Sequence, residues 1–286
     1  MKGIILAGGL GTRLYPLTKS VSKQLLPIYD KPMIYYPIST LMLGGIREIL
    51  IISTSQDINN YKALLGDGSN YGCEFSYLVQ EKPRGLAEAF ILGEDFIGKD
   101  NVCLILGDNF FYVSGFTALL ENCMEPKDGI IFAIKVQNPS EYGVVKFDKN
   151  MKAEKIVEKP ENFVSSYAVP GLYFYSNKVI NVAKNIKPSS RGELEISSVN
   201  QHFIEQSRLE VKLFGRGATW LDTGSSENLL RASNFVEIIQ NRQNISIGSI
   251  EEIAFRKNFI TKEKLLEISN HFNNEYGAYL RSVANL

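Results

Sequence analysis

Histidine is nearly absent from this chain of 286 residues; only His202 and His271 occur. Imidazole-based zinc sites and Ser-His-Asp relays depend on that residue, so both chemistries are set aside. Cysteine is almost as scarce. Cys73, Cys103 and Cys123 are odd in number and form no CxxC pair, which excludes a disulfide framework and a thiolate metal cage. They read as buried thiols of a reducing compartment. No apolar run exceeds strand length, and the opening MKGIILAGG has neither the apolar stretch nor the small-residue cleavage site of a signal peptide, so a cytoplasmic protein is expected. Net charge is missing as well, because Lys plus Arg and Asp plus Glu each number 31. Without an overall field there is no case for nucleic acid or a membrane surface as partner. Any bound anion must be held by local cations.

What remains is an ordinary globular composition, 44% apolar and 22% charged, long enough for one large domain or two modest ones. Short apolar runs at 4–7, 49–52, 75–79, 102–106 and 130–136 alternate with helical segments near 33–44, 86–96 and 116–123. Runs that are apolar throughout, separated by helices, indicate an α/β fold: a Rossmann-like, mostly parallel sheet with helices on both faces. The stretch YGVVKFDKNMKAEKIVEKP reads as a hairpin around an Asp148-Lys149-Asn150 turn. YAVPGLYFYS reads as a further strand with Pro170 at an edge or bulge. Helices are expected over 178–186 and 194–207, a strand over 209–214, and helices near 227–241, 249–257, 262–272 and 275–283. The expected division is an α/β core over 1–226, carrying a small β-rich lobe at about 137–176, and a helical C-terminal region over 227–286 that packs on the core and at a subunit interface.

The opening segment GIILAGGLGTRLYPLTKSVSKQLLP holds the sharpest question. It is not a dinucleotide fingerprint, because Leu14 stands where the third glycine belongs. It is not a P-loop, because Arg13 stands where the second glycine would fall. Both patterns also need a helix directly after the glycines, whereas Pro16 and Pro27 bracket a stretch of poor helical period. A loop at the carboxyl end of a buried strand remains. Gly8, Gly9 and Gly11 let backbone N–H groups approach phosphate oxygens, and Arg13 and Lys23 add charge. A triphosphate suits this loop; a tight turn with two solvated cations is the alternative.

This segment resembles the signature of the sugar nucleotidyltransferases. Ser22 before Lys23 and Gln24 after it, with YDKPMIYYPISTLMLGGIREILIIST and LLGDGSNYG, is similar to the branch that acts on glucose 1-phosphate and dTTP. The resemblance runs from Gly3 to about Tyr279. It implies attack by the phosphate oxygen of a sugar 1-phosphate on the α-phosphorus of a nucleoside triphosphate, which gives dTDP-glucose and diphosphate for deoxysugars such as rhamnose. The nucleophile is already an anion, so no general base is needed.

The same resemblance assigns roles. Asp108, which follows a strand in VCLILGDNFF, and Asp222 in WLDTG would hold Mg²⁺. Arg13 and Lys23 would grip the β- and γ-phosphates, and Lys159 and Arg191 the phosphate of the sugar. Gly8, Gly9, Gly11, Thr12, Gln24, Gln80 and Gly85 would line the nucleotide site, with the Gln80 amide reading the base edge. Asn109, Gly143, Glu158 and Val169 would wall the sugar. Tyr142, Tyr173 and Trp220 can serve either substrate or core. Leu10, Glu88, Val113 and Ser198 depart from the family pattern without removing a phosphate or metal ligand. A homotetramer is implied, with a regulatory nucleotide-sugar site between subunits. The alternatives are a UTP-dependent enzyme for the same sugar phosphate and a sensor that binds nucleotide-sugars without reacting.

Overall fold

The apolar run at the start of the chain divides itself between two cores. In the computed structural model, which describes residues 1–9 and 11–286, strand β1 (Lys2–Leu6) sends Ile5 to one side of a sheet and Ile4 and Leu6 to the other. The following strands are the short pair β2 (Pro27–Ile28) and β3 (Lys31–Pro32), then β4 (Glu48–Ser53), β5 (Glu74–Val79), β6 (Val102–Leu106), β7 (Asn109–Tyr112), β8 (Gly129–Lys135), β9 (Gly143–Phe147), β10 (Ala153–Glu158), β11 (Tyr167–Ala168), β12 (Leu172–Tyr175), β13 (Leu209–Leu213) and β14 (Thr219–Asp222). The large sheet has the order β10-β9-β11-β8-β12-β6-β1-β4-β5, with β13 beside β8. Strands β6, β1, β4 and β5 are parallel, while β12 is antiparallel to both β6 and β8.

Period-two alternation explains why the runs are apolar throughout: both faces are covered. On one face lie Ile49, Ile51, Cys103 and Ile105, under α1 (Tyr35–Leu43), α2 (Ile58–Leu65) and α5 (Phe116–Glu121). On the other lie Leu50, Ile52, Val102 and Leu104, under α3 (Glu88–Leu92), α4 (Glu94–Ile97), α6 (Val179–Asn185) and α7 (Ile196–Glu205). Each fully buried Ile or Leu contributes about 1.5–3 kcal/mol. All three cysteines are buried and free. Among the described residues no helix is long and apolar enough to cross a membrane.

Three local differences from the expectation have physical causes. The helix expected over 86–96 is broken at Gly93, where a Cβ would sit 3.0 Å from Ile4 Cδ1 and from the Ala89 carbonyl. The strand expected over 167–176 is split into β11 and β12 by Pro170, which has no N–H for a ladder. The antiparallel pair β7 and β14 was not expected, because each strand is only four residues long.

The C-terminal helices are α8 (Ser226–Gln243), α9 (Ile250–Arg256), α10 (Lys262–Ser269) and α11 (Glu275–Ala284). Helix α8 buries Ala232 and Val236 against Ile28, Met33, Tyr36 and Phe110. Helix α9 adds Ile250 and Ala254 to the core that α1 covers. The buried carboxyl of Glu251 accepts from the Tyr276 hydroxyl, and the buried Lys31 ammonium pairs with Asp30 at 2.7 Å over the Tyr276 ring.

One feature of the topology places the site. From β1 the chain proceeds outward to β4 and β5, then returns to lay β6 on the other side of β1. The loops leaving β1 and β6 therefore diverge, which opens a crevice at the carboxyl ends of those two strands.

Candidate active site

The loop after β1 enters this crevice without a helix. Gly9 and Gly11 take φ of +103° and +58°, values that suit glycine. Single 3₁₀ turns follow at Thr12–Leu14 and Lys23–Leu25, and α1 begins only at Tyr35. Leu14 is buried, and Thr18 Oγ1 donates to the Gly11 carbonyl at 2.7 Å, so the loop is closed and anchored. Gln24 is buried too. It accepts from Ser22 Oγ at 2.8 Å, and Gly107 leaves room for its Cγ. Gln24 thus ties the loop to the sheet.

The two carboxylates come from different elements. Asp108 leaves β6 through Gly107, and Asp222 ends β14, opposite Asn109 of β7. Thr223 donates its N–H and its hydroxyl to the Asp108 carbonyl, at 3.2 and 2.9 Å, which fixes the junction. The Lys23 ammonium donates to Asp108 Oδ2, and Asn109 Nδ2 to Oδ1 at 3.1 Å. Burial works against ionisation of Asp108, but the Lys23 charge and both hydrogen bonds overcome it and hold the carboxyl below its ordinary value. Asp222 goes the other way. Burial, then the Asp108 charge, raise it, and Lys23 and Arg13 only partly compensate.

Two cavities adjoin here. The first, about 240 Å³, is lined by Gly9, Lys23 and Gln80, with Tyr15 and Thr18. The second, about 310 Å³, is lined by Arg13, Asp108, Asn109, Gly143, Glu158, Lys159, Val169, Arg191 and Asp222, with Tyr142, Tyr173 and Trp220. Of the residues expected for nucleotide, Gly9, Lys23 and Gln80 line the first cavity, while Arg13 lines the second beside the residues expected for sugar phosphate. Gly8, Gly11, Thr12, Gln24 and Gly85 line neither cavity: Gln24 is buried behind the wall and Thr12 is exposed. Gly85, at φ +105°, lets the backbone pass where a Cβ would meet the Leu194 carbonyl at 2.4 Å.

Polar contacts set the orientation of several walls. Buried Gln80 donates Nε2 to Glu88 Oε2 at 2.7 Å, which leaves Oε1 turned toward Gly8 as an acceptor. Glu88, a departure from the family pattern, therefore orients the Gln80 amide. Val113 packs on the first core, Ser198 lies in α7, and Leu10 lies outside the described residues. Gly143 makes room for Glu158, whose Oε2 lies 3.0 Å from where a Cβ would be. Burial, then the charge of Glu195, raise the Glu158 carboxyl. Arg191 is partly occupied, with Nη2 2.8 Å from Glu195 Oε1. Arg13 and Lys159 make no ion pair among the described residues, which leaves both cations free for phosphate. Glu195, Thr223 and Gly224 escaped the sequence reading; a Cβ on Gly224 would lie 2.8 Å from Arg13 Nη2.

The donor set fits a hard divalent cation. Asp108 and Asp222 supply only oxygen, and Asp222, raised first by burial, also feels the Asp108 charge. Among the described residues no third His, Cys, Asp or Glu joins them. Mg²⁺ is commonly held by one or two carboxylates plus substrate phosphates.

Residues 2–238 match the family model described as nucleotidyl transferase. A glucose-1-phosphate thymidylyltransferase of Neisseria meningitidis serogroup A is 55% identical over 282 residues, covering 98% of both chains. One from Mycolicibacterium smegmatis is 52% identical over 281 residues, again covering 98% of each. A crystal structure from Bacillus anthracis, provisionally assigned to the same activity and bound to sucrose, superimposes with TM-score 0.76 at 39% identity, covering 82% of this chain and 94% of that one. A UDP-glucose pyrophosphorylase in complex with UDP-glucose gives TM-score 0.72 at 26% identity, covering 83% and 98%.

Proposed function

Because the chain belongs to the nucleotidyl transferase family, we propose that it joins dTTP and α-D-glucose 1-phosphate to give dTDP-glucose and diphosphate. One observation carries the reading: Arg13 and Lys23 from one loop, and Asp108 and Asp222 from distant parts of the sequence, converge where two adjoining cavities meet. Such a junction suits two polyanionic substrates that must be aligned and screened from one another.

The nucleotide occupies the first cavity, with the Gln80 carbonyl accepting the N3–H of the pyrimidine. Gly9 and its neighbours admit the triphosphate, and Arg13 and Lys23 hold its β- and γ-phosphates. Glucose 1-phosphate occupies the second cavity, where Glu158 accepts from sugar hydroxyls, Asn109, Gly143 and Val169 complete the wall, and Lys159 and Arg191 hold the phosphate. The phosphate oxygen attacks the α-phosphorus in line, the bond to the bridging α–β oxygen breaks, and diphosphate leaves with its charge met by Arg13 and Lys23. No proton moves. Asp108 and Asp222 would hold Mg²⁺, which supplies further charge neutralisation on the phosphates when bound.

The chain divides in this reading into a catalytic unit, 1–226, and a helical region, 227–286. That region supplies contacts of a homotetramer, in keeping with Leu230 and Ile238, 61% and 54% exposed on α8, and a regulatory nucleotide-sugar site between subunits.

Diphosphate release measured over a matrix of dTTP and UTP against glucose 1-phosphate, with and without magnesium, tests the activity. A larger kcat/KM for UTP would overturn the nucleotide assignment. Release undiminished without any divalent ion would overturn the role of the two aspartates. Light scattering tests the tetramer, and a monomer at micromolar concentration would exclude it.

A further inference from the structure

Asn109 stands between the two acids, next to Asp108 in sequence and opposite Asp222 across the β7–β14 ladder. It is 4% exposed, and its amide is committed at both ends. Oδ1 accepts from the Gly171 N–H at 2.9 Å and from the indole Nε1 of Trp220 at 2.6 Å. Both partners are obligate donors, so the oxygen must face them and the NH₂ must face the other way. There it donates to Asp108 Oδ1 at 3.1 Å. Trp220 is itself held by its strand and by Tyr142, whose ring centroid lies 4.8 Å away.

From this chain of contacts we propose that Asn109 is a positioning residue for the Asp108 carboxylate, and that the Trp220 indole N–H sets the direction in which Asn109 donates. The inference rests on the reading above that Asp108 holds the divalent ion. One carboxylate oxygen is turned toward Asn109, so the direction of the remaining lone pairs depends on a ring that also walls the sugar cavity. Residues that orient a metal ligand in this way typically alter metal affinity by about 10–100-fold when removed.

Mn²⁺ is the probe, with binding read from the loss of the free-ion paramagnetic resonance signal on adding protein, in the absence of both dTTP and sugar phosphate because a triphosphate chelates the ion by itself. Trp220→Phe keeps an aromatic ring against Tyr142 but lacks the N–H. It should weaken Mn²⁺ binding about 10-fold. Asn109→Ala should weaken it at least as much, and the double variant should match Asn109→Ala alone, because Trp220 acts through Asn109. If Trp220→Phe binds Mn²⁺ like wild type and only the KM for sugar phosphate rises, or if the two losses add, the proposal is overturned. Should Trp220→Phe fail to fold, Asn109→Ala decides, and wild-type affinity there overturns it. Asp108→Ala separates the premises: if it retains Mn²⁺, the metal reading itself falls, and this inference with it.

Discussion

The ammonium of Lys23 and the carboxylate of Asp108 form an ion pair whose two members face different cavities. Lys23 is carried by a loop after the first strand and Asp108 by the end of the sixth. Their pairing draws the two sides of the crevice together at the place where bonds would be exchanged. Burial makes the pair costly unless both members are present, so removing one leaves an uncompensated charge.

Lys23→Met should therefore do two things. The Asp108 carboxyl loses the charge that holds it down, so its titration, followed by carbon NMR of labelled aspartate, should move upward. With Arg13 left alone to meet the departing diphosphate, kcat/KM should fall on the order of 10²–10³-fold.

Asp222 predicts a pH dependence of opposite origin. Its carboxyl is raised in the fold by burial and by Asp108. A raised acid favours the protein below its unfolded value and penalises it once pH climbs through the folded value. A divalent ion relieves that penalty. The rise in Tm produced by Mg²⁺ should thus grow as pH increases from the ordinary aspartate value of 3.8 upward. In Asp108→Asn, which lacks one of the two proposed ligands, the Mg²⁺-induced rise should largely disappear, while the Asp222 carboxyl should move down because the repelling charge is gone. Differential scanning calorimetry across a pH series reads both effects.

Gly224→Ala tests how tightly Arg13 is seated. The new methyl would lie 2.8 Å from Arg13 Nη2 and 3.0 Å from Asp222 Oδ1, and the side chains must give way. The fold should survive with Tm within a few degrees, while kcat falls about 10–100-fold through misplacement of the guanidinium. Steady-state kinetics beside a melting curve separates the two.

Gln80→Ala tests the amide that faces the nucleotide cavity. Glu88 would lose the donor at 2.7 Å and keep a largely buried carboxylate oxygen unpaired. That should cost about 1–3 kcal/mol of stability, measured by urea denaturation. The variant Gln80→Ala with Glu88→Ala should recover part of the loss while the KM for dTTP stays raised.

Much of the architecture is legible in the sequence because both faces of the parallel strands are buried. Residues 102–106 and 49–52 are apolar without interruption for that reason, and β6 and β4 lie where they were expected. The loop glycines and cations stand out for a similar reason, since Arg13 and Lys23 break a stretch that nothing else explains. What the sequence conceals is long-range pairing. Trp220 and Asn109 meet because two four-residue strands pair antiparallel, and no local pattern records that register. In the sequence Glu88 is only a departure from the family pattern until the Gln80 amide is seen against it. Gly85 reads as an approach to the base, yet the backbone of Leu194 is what demands the missing side chain.

The burial of Glu251 and Lys31 has a bearing on how the polypeptide comes apart. Lys31 belongs to the hairpin directly after the reactive loop, and Glu251 to a helix near the far end, with one tyrosine ring between them. Cutting the chain ahead of residue 250 would strip the Tyr276 ring from the Lys31 ammonium and peel the cover off helix α1. First and last segments should accordingly melt as one, and a nick near the carboxyl terminus should silence chemistry performed at the opposite end of the molecule.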